Sequence, residues 1–345
     1  MYFVRGDLRT AKDLAEQLLR MARETSDSAL LLEACVAGGL TAVCLGEFSQ
    51  ALEHLEQGVT IYDVDQHSTH ASLYGQDPGM ICLSWAAWVL WFLGYPDRAQ
   101  QRSQAAVALT RRLSHPYSLA YALGSAAAFH QFRREARETE QHAREIITLS
   151  AEQGFTLWLA GGHVMLGWSL AHQGRAQEGV AELYVGLTAW QETGAGFMLS
   201  YGFALLPDTY QKTRQFDEGL AALTGAFAIV EHNGERLWEA ELYRFKGDLS
   251  LQARQVADNS QRRQGTAEIE TEAEECFWKA IEIARRQQAK SFELRAVMSL
   301  SRLWQQQGKR DEARQLLAEI YGWFTEGFDT KDLQEAKALL GELTC

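Results

Sequence analysis

Apolar residues return every third or fourth position along nearly the whole chain, the period of helices that bury one face. Near the C-terminus the pattern is plain. Leu333, Ala336, Leu339 and Leu340 fall on one side, Lys331, Asp332, Glu335 and Lys337 on the other, and Asp329 or Thr330 stands where an N-cap belongs. A helix is predicted over 330–343, and the chain as a whole is predicted to be all-α. The helices also repeat. A small residue followed seven positions later by a second small or apolar one marks Ala11/Leu18, Ala51/Gly58, Ala99/Ala106, Thr139/Ile146, Gly179/Gly186, Gly219/Ala226, Ala273/Ala280 and Ala313/Ile320. The first members lie 40, 48, 40, 40, 40, 54 and 40 residues apart, which is one period of 40 with insertions of 8 and 14.

Twelve residues before most of these anchors stands another small residue: Gly39, Ala87, Ala127, Gly167 and Ser301, with Gly247 in place once the second insertion is subtracted. Small residues at both landmarks let two antiparallel helices approach closely, so the repeating unit is a helical hairpin. Between the helices of a pair stands Gly6, Gly46, Gly94, Gly174 or Gly308, suited to the left-handed residue that ends a helix. Arg134 and Arg214 replace it in two copies, where the turn is expected to end differently. Pro207 takes the small-residue position of the sixth pair and is expected to kink or break its helix around 203–208.

Composition narrows the partners. Among 345 residues, 45 acidic against 33 basic side chains give a net charge of −12, which removes the electrostatic drive for nucleic-acid binding. The longest apolar stretch, 80–95, falls short of the roughly 20 residues a membrane span needs. Arg5, Asp7, Arg9, Lys12 and Asp13 interrupt the first segment, so it does not read as a secretory leader and a cytoplasmic location is expected. Cys35, Cys44, Cys82, Cys276 and Cys345 are odd in number, form no C-x-x-C pair and sit mostly in apolar stretches, as buried thiols do.

The run Ser301-Arg-Leu-Trp-Gln-Gln-Gln-Gly308-Lys-Arg-Asp-Glu-Ala313 resembles the core of the tetratricopeptide-repeat family. The likeness covers essentially the whole chain. It implies a right-handed superhelical solenoid of about eight hairpins with a C-terminal capping helix, in one domain spanning 1–345. The family period is about 34 residues, so a period of 40 calls for longer helices. A narrower resemblance rests on Tyr74-Gly-Gln-Asp-Pro-Gly79, Trp85-Ala-Ala-Trp88, Leu93-Gly-Tyr-Pro-Asp97, His115-Pro-Tyr-Ser-Leu-Ala120, His130-Gln-Phe-Arg-Arg-Glu135 and the run 320–330. These look like the C-terminal repeats of bacterial signalling proteins in which a class III adenylate or guanylate cyclase domain and a P-loop ATPase domain come first. This sequence contains no G-x-x-x-x-G-K-[ST] motif and no cyclase metal motif. Counting twelve back from Ala11 falls before Met1, so the first hairpin is expected to be incomplete at its N-terminus.

Two irregularities and a set of side chains carry what chemistry there is. The insertion near 66–77 brings Asp63, Asp65, His67 and His70 within eight residues; a polar connection supplies such residues without a metal, and that reading is taken. The insertion near 253–267 is polar and reads as a solvated loop. Trp85, Trp88 and Trp91 spread over an arc of one helix, so that one edge can reach a concave face. His130, Arg133 and Arg134 form a basic cluster fit for a carboxylate or phosphate, or simply for a helix C-terminus. With Trp168 and Tyr201 these make the candidate groove for a partner or ligand, lined by the first helices of successive pairs. No H-E-x-x-H, nucleophile elbow or Ser-His-Asp order stands out, so no catalytic, cofactor or metal residue is assigned and no enzyme is expected. The expected function is recognition of a protein, peptide or small ligand, as the regulatory arm of a cyclase and ATPase chain; the alternative is a free-standing scaffold.

Overall fold

The computed structural model describes residues 2–67, 69–256 and 266–344. Eight hairpins follow one another among the described residues. They are α1 (Tyr2–Arg5) with α2 (Leu8–Thr25), α3 (Ser28–Cys44) with α4 (Phe48–Ile61), and, after two short helices α5 (Val64–His67) and α6 (His70–Tyr74), α7 (Pro78–Phe92) with α8 (Pro96–Leu113). Then come α9 (Pro116–Phe132) with α10 (Ala136–Gln153), α11 (Thr156–His172) with α12 (Ala176–Glu192), and α13 (Leu199–Thr213) with α14 (Phe216–Asn233). The last pairs are α15 (Glu239–Val256) with α16 (Thr266–Arg286) and α17 (Lys290–Gln306) with α18 (Arg310–Tyr321), and α19 (Lys331–Thr344) closes the chain. The proposed loop at 253–267 begins later than expected, since α15 runs to Val256, and its centre lies outside the described residues. The insertion near 66–77 carries α5 and α6 instead of a plain loop.

The small-residue landmarks sit where paired backbones touch. A methyl group on Gly167 would lie 2.6 Å from the Leu183 amide nitrogen, and one on Gly186 would lie 2.6 Å from that of Val164. The five turn glycines all adopt the left-handed conformation. Arg134 and Arg214 correct the expectation of a different turn: both take the same conformation, at φ +63° and +58°. The chain geometry of the hairpin imposes that conformation whatever residue occupies it, at a cost of about 1–2 kcal/mol for a side chain with a Cβ. Pro207 does not break its helix: it is buried inside α13, which runs from Leu199 to Thr213. Four of the cysteines are buried thiols as expected, and Cys345 lies outside the described residues.

The superhelix closes on itself after five hairpins. The Gly196 amide donates to the Val4 carbonyl at 2.8 Å, and the Arg236 amide donates to the Cys44 carbonyl at 2.7 Å. The Ser291 hydroxyl donates to the Trp91 carbonyl at 2.5 Å, and the Lys331 ammonium donates to the Arg134 carbonyl at 2.6 Å. Each acceptor ends the first helix of hairpin n, and each donor begins hairpin n + 5, with α19 counting as the ninth. Helix C-termini leave carbonyls without intrahelical partners, and the next superhelical turn supplies the donors.

Closure changes what the first helices face. Fourteen of the fifteen residues of α7 are buried, as for a helix that is apolar all round. Its inner side does not line an open groove, as expected from the sequence, but meets the opposite half of the molecule. Phe92 packs 5.1 Å from Phe292 and 5.2 Å from Phe132, and Trp238 lies 5.3 Å from Phe132 and 5.0 Å from Tyr201. Rings from five hairpins thus fill the axis of the solenoid.

The two arginine turns give opposite expectations. Arg214 is exposed at its turn, whereas Arg134 pairs with Asp332 and Glu335. Arg214→Gly should raise stability by about 0.5–1 kcal/mol, and Arg134→Gly should lower it. Urea unfolding of the two variants beside the parent protein checks both signs.

Candidate functional site

Beside the aromatic axis lies a polar chamber of about 260 Å³. Its walls come from the ends of α9 and α11, from α13, α15 and α17, and from the start of α19. Five basic side chains (Arg134, Lys212, Arg244, Arg295, Arg302) and five acidic ones (Asp208, Glu241, Asp248, Asp332, Glu335) line it. Many of these residues stand in register with the repeat. Asp208 and Asp248 are 40 apart; so are His172, Lys212 and Gln252 in turn, and Arg295 and Glu335; Arg295 follows Glu241 by 54, the period plus the insertion. The hairpin geometry therefore delivers equivalent positions of successive first helices to one cavity.

The floor is a closed ion-pair network. Arg244 holds both oxygens of the buried Glu241, at 2.7 and 2.9 Å, and reaches Asp248 at 2.7 Å. Arg295 donates to Asp332 at 2.8 Å, to Glu241 at 3.2 Å and to the Phe132 carbonyl, so it joins α15, α17 and α19 to the end of α9. Burial works to raise the Asp332 carboxyl, but the Arg295 and Arg134 charges and hydrogen bonds outweigh it and hold the group below its ordinary value. For Asp248 burial prevails over Arg244, and the carboxyl is raised. Asp208 faces the His172 ring at 3.2 Å and accepts the Trp168 indole N–H at 2.7 Å. Burial would raise it too, yet His172, Trp168 and Lys212 hold it well down. The Gln211 Nε2 and Trp238 Nε1 donors in the walls are buried without an acceptor among the described residues. Lys212 and Arg302 are exposed at the mouth.

The residues singled out from the sequence divide around this chamber. Arg134 lines it, paired to Asp332 at 3.2 Å and Glu335 at 2.9 Å. Trp168 supports it through Asp208, stacked 4.1 Å from His172, and Tyr201 does so by donating to Gln131 at 2.8 Å. Trp91 is core, 3 % exposed, with the Arg295 guanidinium 4.8 Å above its ring. Trp85 and Trp88 are also core, and their N–H groups are taken by the Tyr121 hydroxyl at 2.6 Å and the Ser125 carbonyl at 2.8 Å. His130 and Arg133 stay apart from the chamber. Glu135 binds both, at 2.6 and 2.8 Å, and they serve the end of α9, where positive charge suits the helix C-terminus. In the first insertion His70 pairs with Glu33 at 2.7 Å and His67 accepts the Asp63 amide at 3.0 Å. Among the described residues no group of three or more His, Cys, Asp or Glu side chains is arranged to hold a metal ion. Nor is any helix among them long and apolar enough to cross a membrane.

A helical-repeat solenoid with a charged interior chamber is the class that these observations define. Two of the hairpins match a family model: "Tetratricopeptide repeat" covers residues 80–111 and 294–319, which fall on α7–α8 and α17–α18. The fold is similar to that of the Rap protein complexed with Competence and Sporulation Factor (TM-score 0.55, 10 % identity, 98 % of this chain and 97 % of that one). The apo form of RapI is also similar (TM-score 0.50, 10 % identity, 90 % and 99 % covered). A signal transduction ATPase with a tetratricopeptide repeat sensor from Pyrococcus horikoshii matches 97 % of this chain over 49 % of its own length, at TM-score 0.44 and 14 % identity. No curated protein matches the sequence.

The network predicts a pH effect. The folded Asp332 carboxyl lies below its unfolded value near 3.8, so the folded chain binds fewer protons there. Its contribution is full above that value and is lost as pH falls through the lower folded one. Asp332→Asn should cost about 3 kcal/mol at neutral pH. The gap from the parent protein should narrow between about pH 5 and about pH 2, as read from urea melts at each pH.

Proposed function

We propose that the protein is a non-catalytic recognition module that takes a peptide, or a short segment of a protein, in the polar chamber. The carrying observation is the chamber itself, ten charged side chains of both signs inside an otherwise apolar solenoid. A peptide matches such a wall on several counts. Its side chains and ends supply both charges, and its carbonyls are acceptors for the unpartnered Gln211 and Trp238 donors. Burying charge without partners is costly, so the fixed salt-bridge floor serves as a preorganised template, while at the mouth the exposed Lys212 and Arg302, the latter 3.4 Å from Glu335, stand where they meet the ligand. The Rap protein complexed with Competence and Sporulation Factor is a precedent for a similar solenoid holding a factor.

The finer reading is that this module is the regulatory arm of a bacterial signalling chain with nucleotide cyclase and P-loop ATPase domains. Its support is the set of sequence runs around 74–97, 115–135 and 320–330. In that setting a ligand touching α9, α13, α15, α17 and α19 together would favour one curvature of the superhelix over another, and so report its presence along the chain. Genomic sequence upstream of the Met1 codon discriminates. An open frame continuing into a phosphate-binding loop supports the arm, and an in-frame stop favours the free-standing scaffold.

Binding to an immobilised array of 15-residue peptides tests the chamber. The protein should select a subset of sequences, and Lys212→Glu with Arg302→Glu should weaken those interactions at least tenfold while the far-UV circular dichroism stays that of the folded helical protein; the melting temperature should fall somewhat, because Arg302 pairs with Glu335 and Lys212 lies near Asp208. Equal binding by the double variant, or no selection at all, would remove the chamber as the site.

A further inference from the structure

A second cavity, separate from the charged chamber, lies toward the other end of the aromatic axis, between α7, α9, α10, α11, α12 and the start of α13. It encloses about 50 Å³, and no charged or amide side chain stands in its wall. Its polar groups are nearly all engaged. The Trp85 and Trp88 N–H groups have their acceptors in Tyr121 and Ser125, and the Tyr201 hydroxyl donates away from the cavity to Gln131.

Two groups are not engaged. The Nε1 donors of Trp158 and Trp190, both lining this cavity, are buried and have no acceptor among the described residues. Trp158 is only 9 % exposed. An indole N–H left dry and unpaired costs about 1–3 kcal/mol, so two beside one cavity demand a cause. Their rings are firmly seated. Trp158 rests on Gly124, where a Cβ would come within 2.8 Å of the ring, and Trp190 rests on Gly161, where it would come within 3.3 Å. A side chain at Gly124 would push the Trp158 ring aside and one at Gly161 would crowd the Trp190 ring, so both indoles lie close against the backbone of a neighbouring helix.

We propose that this cavity is a binding site for a small, neutral, apolar molecule carrying a carbonyl oxygen, which accepts from the Trp158 and Trp190 indoles. The chemistry follows from the wall. An anion is excluded, because no cation lines the cavity to offset its desolvation. Water satisfies the two donors but sets its own protons in a wall made mostly of aromatic faces and methyl groups, where the Ser125, Tyr121 and Tyr201 hydroxyls are the side-chain oxygens that could receive them. A carbonyl brings acceptor capacity alone, and its alkyl arms replace the missing apolar contacts. The enclosed volume admits on the order of five non-hydrogen atoms.

2-Butanone is a fitting probe, and its isosteric alkene 2-methyl-1-butene is the control that lacks the acceptor. In ¹⁵N-labelled protein the two indole cross-peaks are assigned by their loss in Trp158→Phe and Trp190→Phe, substitutions that keep an aromatic ring. The ketone should move both peaks downfield along a saturable curve, the alkene should not, and each Phe variant should bind the ketone roughly fivefold more weakly. Lys212→Glu with Arg302→Glu should leave this titration unchanged, which separates the site from the chamber. Peaks that stay still, a linear drift shared by all indoles, or an equal response to the alkene would each overturn the proposal.

Discussion

The ends of the first four first helices, α1, α3, α7 and α9, are capped by the beginning of the element five repeats later, and the rest of the structure depends on that contact. A helix terminus with bare carbonyls must find donors in water or in the protein. Here Val4, Cys44, Trp91 and Arg134 find them across the superhelical seam, from Gly196, Arg236, Ser291 and Lys331. Because both partners lie at hairpin junctions, the contact recurs with the repeat and locks the two halves in register.

Once the seam is closed, the inside of the solenoid ceases to be a surface. Rings from opposite walls meet and exclude water, which explains why α7, α9 and α11 are buried on nearly every side. Where the first helices carry charge, from α13 onward, the same closure brings opposite charges together out of water. They survive there because each acid in the floor has an arginine partner. Arg295 belongs to both systems, since it lies over the Trp91 ring, caps the α9 end and pairs with Glu241 and Asp332. The proposed recognition function follows from this union: a ligand in the chamber touches the charges that tie α9 to α15, α17 and α19.

Much of the architecture was legible in the sequence, because repeats and turns are local properties. The period of 40, the close approach at Gly167 and Gly186, the left-handed glycines and the final helix could all be read from spacing. Closure could not, because a period reveals which hairpins are neighbours and says nothing of how many complete a turn. The same gap placed Trp85, Trp88 and Trp91 at the edge of a groove that closure fills. The chamber was partly visible. Glu241, Arg295 and Glu335 stand at equivalent positions of successive first helices, and aligning the repeats for charge instead of for small residues would have marked them. Arg134 was singled out through its neighbours His130 and Arg133, yet only Arg134 turns inward, because the left-handed turn points it toward α19.

Hydrogen exchange of two loop amides, Gly196 and Arg236, tests closure most directly, because each has its acceptor across the seam, on Val4 and Cys44. A closed superhelix predicts that both exchange as slowly as amides in the middle of α7 or α9. If they exchange at the rate of unprotected loop amides while those helices stay protected, the halves are not joined, and the interior chamber does not exist as a closed site.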